Sequence, residues 1–208
     1  GEEQQQLTSH GTKDPEAYRL YVLARHHALK STQDSFEKAL EFYDRAIKRD
    51  PNYALAYAGK AEAYMMASDL FLPSVKAGQQ AQIMASAAME RDNELSEAHC
   101  VLGIVRGMYQ WDWAGAEREF DSAQRLDPAS ECVHDSYGMF LALVRPDEKA
   151  LAKLRDALRL DPRSPLRRNS LGYGLYLTKR YDEAAIELRT ALDLDPSYWG
   201  ASLWLGEI

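Results

Sequence analysis

Gln110–Pro128 reads QWDWAGAEREFDSAQRLDP. Its frame is Ala116, Phe120, Ala123 and a closing Asp127-Pro128. Spacings of four and three residues put Ala116, Phe120 and Ala123 on one face of a helix. Proline cannot continue a helix and pushes the residue before it toward extended backbone, so Asp127-Pro128 is a stop. Asp112 and the charges of GAEREF fall at the N-terminal turn and on the solvent side, where Asp and Glu are favoured. The stretch therefore predicts a short helix with a stripe of small, bulky and small residues. Trp111 and Trp113 flank Asp112 just ahead of it.

The same frame recurs along the chain. AIKRDP, AQRLDP, ALRLDP and ALDLDP end at Pro51, Pro128, Pro162 and Pro196, and AMERDN supplies a fifth copy with Asn93 in the proline place. The successive spacings are 42, 35, 34 and 34 residues. Twelve positions before each stop stands an alanine: Ala39, Ala81, Ala116, Ala150 and Ala184. Five positions before it stands another: Ala46, Ala88, Ala123, Ala157 and Ala191. Between them a bulky residue recurs as Tyr43, Phe120, Leu154 and Leu188, with Ala85 the exception. Upstream, Ala24, Ala61, Gly103, Gly138 and Gly172 hold a small position. Small residues let two helices approach closely, and a bulky neighbour fills the space beside them. The expected fold is all-α, a chain of helix pairs.

These residues resemble the tetratricopeptide repeat, whose frame is W-x₂-L-G-x₂-Y…A-x₃-F…P over 34 residues. Leu102-Gly103, Ala116-x₃-Phe120 and Pro128 match it, and Leu171-Gly172, Ala184-x₃-Leu188 and Pro196 match with one change. The leading tryptophan is replaced throughout, by Leu20, Tyr57, His99, His134, Arg168 and Ser202. The resemblance implies a right-handed superhelical solenoid of five repeats plus a half repeat. Residues 1–14 read as a linker or tail. Repeats fall near 17–53, 54–95, 96–130, 131–164, 165–198 and, in part, 199–208. First helices are expected near 15–30, 53–67, 95–109, 130–144, 164–178 and 198–208, and second helices near 35–49, 75–91, 114–126, 147–160 and 181–194. Leu203, Trp204 and Leu205 in the half repeat point to a chain that continues, or to a homodimer through that end. The second repeat carries an insertion at 68–75, with Leu70, Phe71 and Leu72 expected to fold back onto the array. Trp113 shares a position with Phe36 and Tyr181 and is expected to plug a helix junction, with Trp111 packed nearby.

Composition narrows the function. The chain has 208 residues, 46% of them apolar, and a net charge of −7. That balance argues against a nucleic-acid binder. No apolar run approaches the roughly 20 residues needed to span a bilayer, so no membrane partner is expected. The start GEEQQQLTSHGTKDPEAY lacks the pattern of a signal peptide. Two cysteines, Cys100 and Cys132, make no disulfide framework and suit a reducing, cytoplasmic setting.

Catalytic patterns are missing as well. His10, His26, His27, His99 and His134 form no H-E-x-x-H, and the cysteines lack zinc spacing. There is no phosphate-cradling G-x-x-x-x-G-K-[ST] and no G-x-S-x-G elbow. Glu117 and Glu119, two apart on a helix, diverge. The reading is a non-catalytic protein without metal or cofactor.

The resemblance also implies where a ligand lies: on the concave face lined by first helices. Carried over position by position, that lining is Tyr18, Tyr21 and Arg25, then Leu55, Glu62 and Met65, then Glu97, Cys100, Ile104 and Met108. Asp135 and Met139 follow, and the fifth repeat adds Asn169, Tyr173 and Tyr176. Glu62, Glu97 and Asp135 oppose an acidic C-terminal tail as ligand. Adaptable Met and amphipathic Tyr suit an apolar or aromatic peptide or partner domain, with a basic residue accommodated. WDWAGAEREF and DPEAYRLYVLARHHALK resemble arrays of one bacterial group that follow a winged-helix regulator, a serine/threonine kinase or a nucleotide cyclase in the same chain. The alternatives are the recruiting arm of an enzyme, such as a glycosyltransferase or kinase, and a homo-oligomerisation module.

Overall fold

The computed structural model describes residues 11–208 apart from Ser31 and Asp69. His10 and most of the expected 1–14 tail lie outside the described residues. Among those described there are eleven helices and no strand: α1 (Pro15–Ala28), α2 (Gln33–Arg49), α3 (Ala54–Met66), α4 (Ser74–Arg91), α5 (Ser96–Tyr109), α6 (Trp113–Leu126), α7 (Glu131–Val144), α8 (Glu148–Leu160), α9 (Pro165–Leu177), α10 (Tyr181–Leu194) and α11 (Trp199–Leu205). The helix boundaries agree with the sequence frame to within two residues, except that the first helix of the half repeat ends at Leu205. The chain divides into two compact units, Gly1–Leu126 and Asp127–Ile208.

The stops work as the sequence suggests, with an added hydrogen bond. Each of four helix-ending aspartates donates its N–H back to the alanine four residues earlier: Asp50 to Ala46, Asp92 to Ala88, Asp161 to Ala157 and Asp195 to Ala191. The carboxylates of Asp50, Asp92, Asp127 and Asp195 then accept the N–H two residues on, from Asn52, Glu94, Ala129 and Ser197. That turn relieves orphan backbone groups at the helix end and explains why aspartate precedes the proline. Helix starts are capped in turn, by Asp14, Thr32, Ser130, Asp147 and Ser164.

In the first unit, α1 pairs with α2, α3 with α4 and α5 with α6, and the first helices α1, α3 and α5 touch in sequence. Its core is built from the predicted alanines, with Tyr43 and Phe120 fully buried. The ring of Phe120 closes on Gly103, where an added Cβ would sit 3.0 Å from it. In the second unit, Leu154 and Leu188 fill the same role against Gly138 and Gly172, at 2.8 and 2.7 Å from a notional Cβ. Phe71 and Leu72 of the insertion fold back onto the core of α1–α3, Phe71 stacking on Phe36 at 6.1 Å. Leu70 does not and stays half exposed.

Two expectations are corrected. Trp113 plugs no junction: it is half exposed, as is Tyr181 at the matching place, and only Phe36 of that series is buried. Trp111 is not packed either, being 75% exposed with a left-handed backbone (φ 58°). The insertion in the second repeat puts Phe71 over Phe36; the third and fifth repeats have no such cover.

Candidate functional site

Four of the six replaced tryptophan positions share a task. The Tyr57 hydroxyl donates to the Pro51 carbonyl at 3.2 Å, and His134 Nε2 meets the Pro128 carbonyl at 3.0 Å. His99 Nε2 meets the Asn93 carbonyl at 3.1 Å, and Arg168 donates to the Pro162 carbonyl at 3.4 Å. Each side chain reaches back six residues to the stop of the preceding repeat. His99 and Arg168 also bind a glutamate on the second helix of their own pair, Glu119 at 2.7 Å and Glu187 at 2.6 Å. The Glu119 carboxylate raises the affinity of His99 for its proton, and His99 in return holds Glu119 below the usual carboxylate range. These polar residues are structural ties between turn and helix pair.

On the first unit, α1, α3 and α5 bring together most of the predicted lining. Tyr18, Arg25 and Met108 are exposed; Leu55, Glu62, Met65, Glu97 and Ile104 are half buried. Glu62 lies close enough to Glu97 and Arg25 for all three to interact, and Tyr21 feels the same charges. Burial, then repulsion from Glu97, pushes the Glu62 carboxyl up to about 7 against the pull of Arg25. Tyr21 and Cys100 do not belong to the open lining. Tyr21 is buried between Tyr43 and Tyr53, at 6.2 and 5.3 Å between ring centres, and Cys100 is buried too. Burial drives the Tyr21 hydroxyl up as well. Both fall on the side of their helix that meets the neighbouring helices.

On the second unit the predicted lining is largely consumed by packing. Asp135 is buried and corrected out of the open face. Arg167 Nη1 pairs with its Oδ2 at 3.0 Å, and Ser170 Oγ donates to the same oxygen at 3.2 Å. Desolvation nevertheless holds the Asp135 carboxyl above the usual carboxylate range. Arg167 also donates to Cys132 Sγ at 3.1 Å. Cys132 is exposed and Cys100 buried, and neither is in a disulfide. Tyr173 and Tyr176 stack on each other, and Trp204 of α11 covers Tyr173 at 4.2 Å. Met139 packs on the core of α8 and α9, and the Asn169 side-chain oxygen is buried. Arg167 and Ser170 escaped the sequence reading because the repeat frame carries no charge at those positions.

Among the described residues, no three metal-ligating side chains cluster. No family model matches the chain, and no curated protein does. Solved structures do. TTC0263, a thermophilic TPR protein of Thermus thermophilus, has 20% sequence identity and a TM-score of 0.72, with 92% of this chain and 97% of that one covered. PilW, a type IV pilus biogenesis factor, has 19% identity and a TM-score of 0.65, covering 93% and 87%. YrrB, described as a TPR protein with an unusual peptide-binding site, has 20% identity and a TM-score of 0.54, covering 100% and 97%. The fold is the tetratricopeptide-repeat fold.

Proposed function

We propose that the face of α1, α3 and α5 binds an extended or helical peptide segment with apolar or aromatic anchors and one basic residue. The observation that carries this reading is the pair Glu62 and Glu97, half buried beside Leu55, Met65 and Ile104. A lysine or arginine brought there replaces repulsion between two carboxylates by attraction to both. Methionines adapt to varied apolar side chains, and the polar rim fixes register. The peptide-binding site ascribed to YrrB supports this mode by analogy. The chain works by binding alone, as the interaction module of a regulatory protein.

Screening an array of random peptides tests this. Ligands enriched in Lys or Arg next to aromatic or aliphatic residues are expected. Met65→Glu should weaken binding about tenfold or more while helical circular dichroism is unchanged. Unchanged affinity removes this face from consideration. Binding of a lysine-containing ligand should tighten between about pH 6 and about pH 8 as Glu62 ionises, and Glu62→Gln should flatten that profile.

A second reading, self-association through α11, is favoured by its surface. Trp199, Leu203 and Ile208 are exposed there. Light scattering of the purified chain should then show a dimer that Leu203→Glu dissociates.

A further inference from the structure

Three turns join the first and second helices of the first unit, their described residues lying within 29–32, 67–73 and 110–112. They stand side by side. Phe36, just past the first turn, stacks on Phe71 of the second at 6.1 Å. Ser68 and Ser74, which bracket the second turn, meet the Tyr109 hydroxyl before the third at 3.1 and 3.5 Å. One continuous edge results. Leu29 (71% exposed), Leu70, Val75 (69%), Trp111 (75%) and Trp113 stand out from it, and Met66 and Met108 at the ends of α3 and α5 are half exposed.

This exposure is selective. The same insertion that buries Phe71 and Leu72 leaves Leu70 and Val75 outside. Trp111 is held in the left-handed region by a fixed turn: the Asp112 N–H donates to the Arg106 carbonyl at 3.0 Å, and Asp112 Oδ1 accepts from the Gly115 N–H at 2.8 Å. A large apolar side chain held in water by a fixed turn invites a functional reading.

The charges agree. Lys30 and Lys76 are exposed on this edge. Of the described acids nearest these turns, Asp34 at the start of α2 pairs with Lys38 at 2.7 Å and Asp112 with Arg106 at 3.3 Å. In a chain of net charge −7, the described residues of this edge thus set two exposed lysines among exposed apolar side chains.

We propose that this edge docks on the surface of a phospholipid bilayer. Indoles settle at the headgroup level, aliphatic tips enter the acyl boundary, and lysines meet lipid phosphates. A protein partner is engaged by one packed central cluster. Here the exposed anchors are spread over three turns and the helix starts that follow them, which suits a fluid plane. No helix of the described residues is long and apolar enough to cross a membrane. The contact is therefore peripheral, a mode that the lack of a spanning segment does not address.

Cosedimentation of the whole chain with phosphatidylcholine vesicles, and with the same vesicles containing phosphatidylserine, tests this. Partition into both is expected, with a blue shift of tryptophan emission and quenching by lipids brominated on their acyl chains. The double variants Trp111→Ser/Trp113→Ser and Leu70→Ser/Val75→Ser should each lower the partition coefficient about tenfold or more, with circular dichroism unchanged. Lys30→Gln/Lys76→Gln should lose only the gain from phosphatidylserine. A wild-type chain that stays in the supernatant with both vesicles overturns the proposal. So does equal partition of wild type and both apolar variants. Loss of self-association in the apolar variants, without vesicle binding by the wild type, assigns the edge to a second copy instead.

Discussion

At the residue scale the fold rests on small side chains facing bulky ones. Gly172 is buried in mid-helix, where a Cβ would meet Leu188 Cγ at 2.7 Å. Alanine favours helices over glycine by about 1 kcal/mol, but overpacking costs about 1–3 kcal/mol, so Gly172→Ala should lower stability in urea titration. The replaced tryptophans show a second use of single residues. His134 is buried and its Nε2 serves the Pro128 carbonyl. His134→Phe keeps the bulk but leaves that carbonyl without its partner, so a loss of about 1–2 kcal/mol is expected. Glu62 ties stability to pH. Its folded carboxyl is raised to about 7 from an ordinary value of 4.5. The folded state therefore holds its proton where the unfolded chain has lost it, and stability falls as pH rises through that interval. Glu62→Gln should stabilise the chain by about 2 kcal/mol above neutrality and by nothing at low pH, read from melts across the range.

At the element scale, turns and caps explain what the periodicity leaves open. Trp111 and Lys179 occupy corresponding places ahead of α6 and α10, with φ of 58° and 63°. The corresponding Arg145 precedes Pro146 and has a φ of −151° instead, since proline disfavours helical geometry in the residue before it. Left-handed backbone costs an ordinary side chain about 1 kcal/mol, which glycine escapes. Lys179→Gly should thus raise the melting temperature slightly, whereas the same change at Trp111 would also remove an exposed indole from the proposed bilayer edge. Ser130 accepts from the Val133 N–H at 3.2 Å as the cap of α7. Ser130→Ala should cost about 1 kcal/mol.

At the scale of the whole molecule, the division at Leu126 and Asp127 gives two compact units, each with its own core of interlocked helix pairs. In repeat arrays each pair is stabilised by its neighbours, and cooperativity is limited to contiguous stretches. Residues 11–126 expressed alone are therefore expected to melt cooperatively with a helical spectrum. A fragment without a sharp transition would show that the first unit needs the second. The two units also differ in their open faces. The first keeps Glu62, Glu97, Met65 and Ile104 as a lining, while the second spends Asp135 on Arg167, and Tyr173 and Tyr176 on Trp204.

Helix type, number of pairs and the small-against-bulky contacts were legible in the sequence, because a packing position must hold a certain size once in each repeat and an Asp-Pro stop, Asp-Asn in the second repeat, ends each unit. Those constraints are local or periodic and leave a mark in one dimension. Which aromatic residues are buried was not legible. Phe36, Trp113 and Tyr181 share a frame position, yet only Phe36 is buried, and part of its cover comes from Phe71 in another repeat. The same holds for Tyr21, Cys100 and Asp135, whose burial depends on which neighbour lies against a given helix face. Exposure is a property of what arrives from elsewhere in the chain, and only the assembled helices decide it.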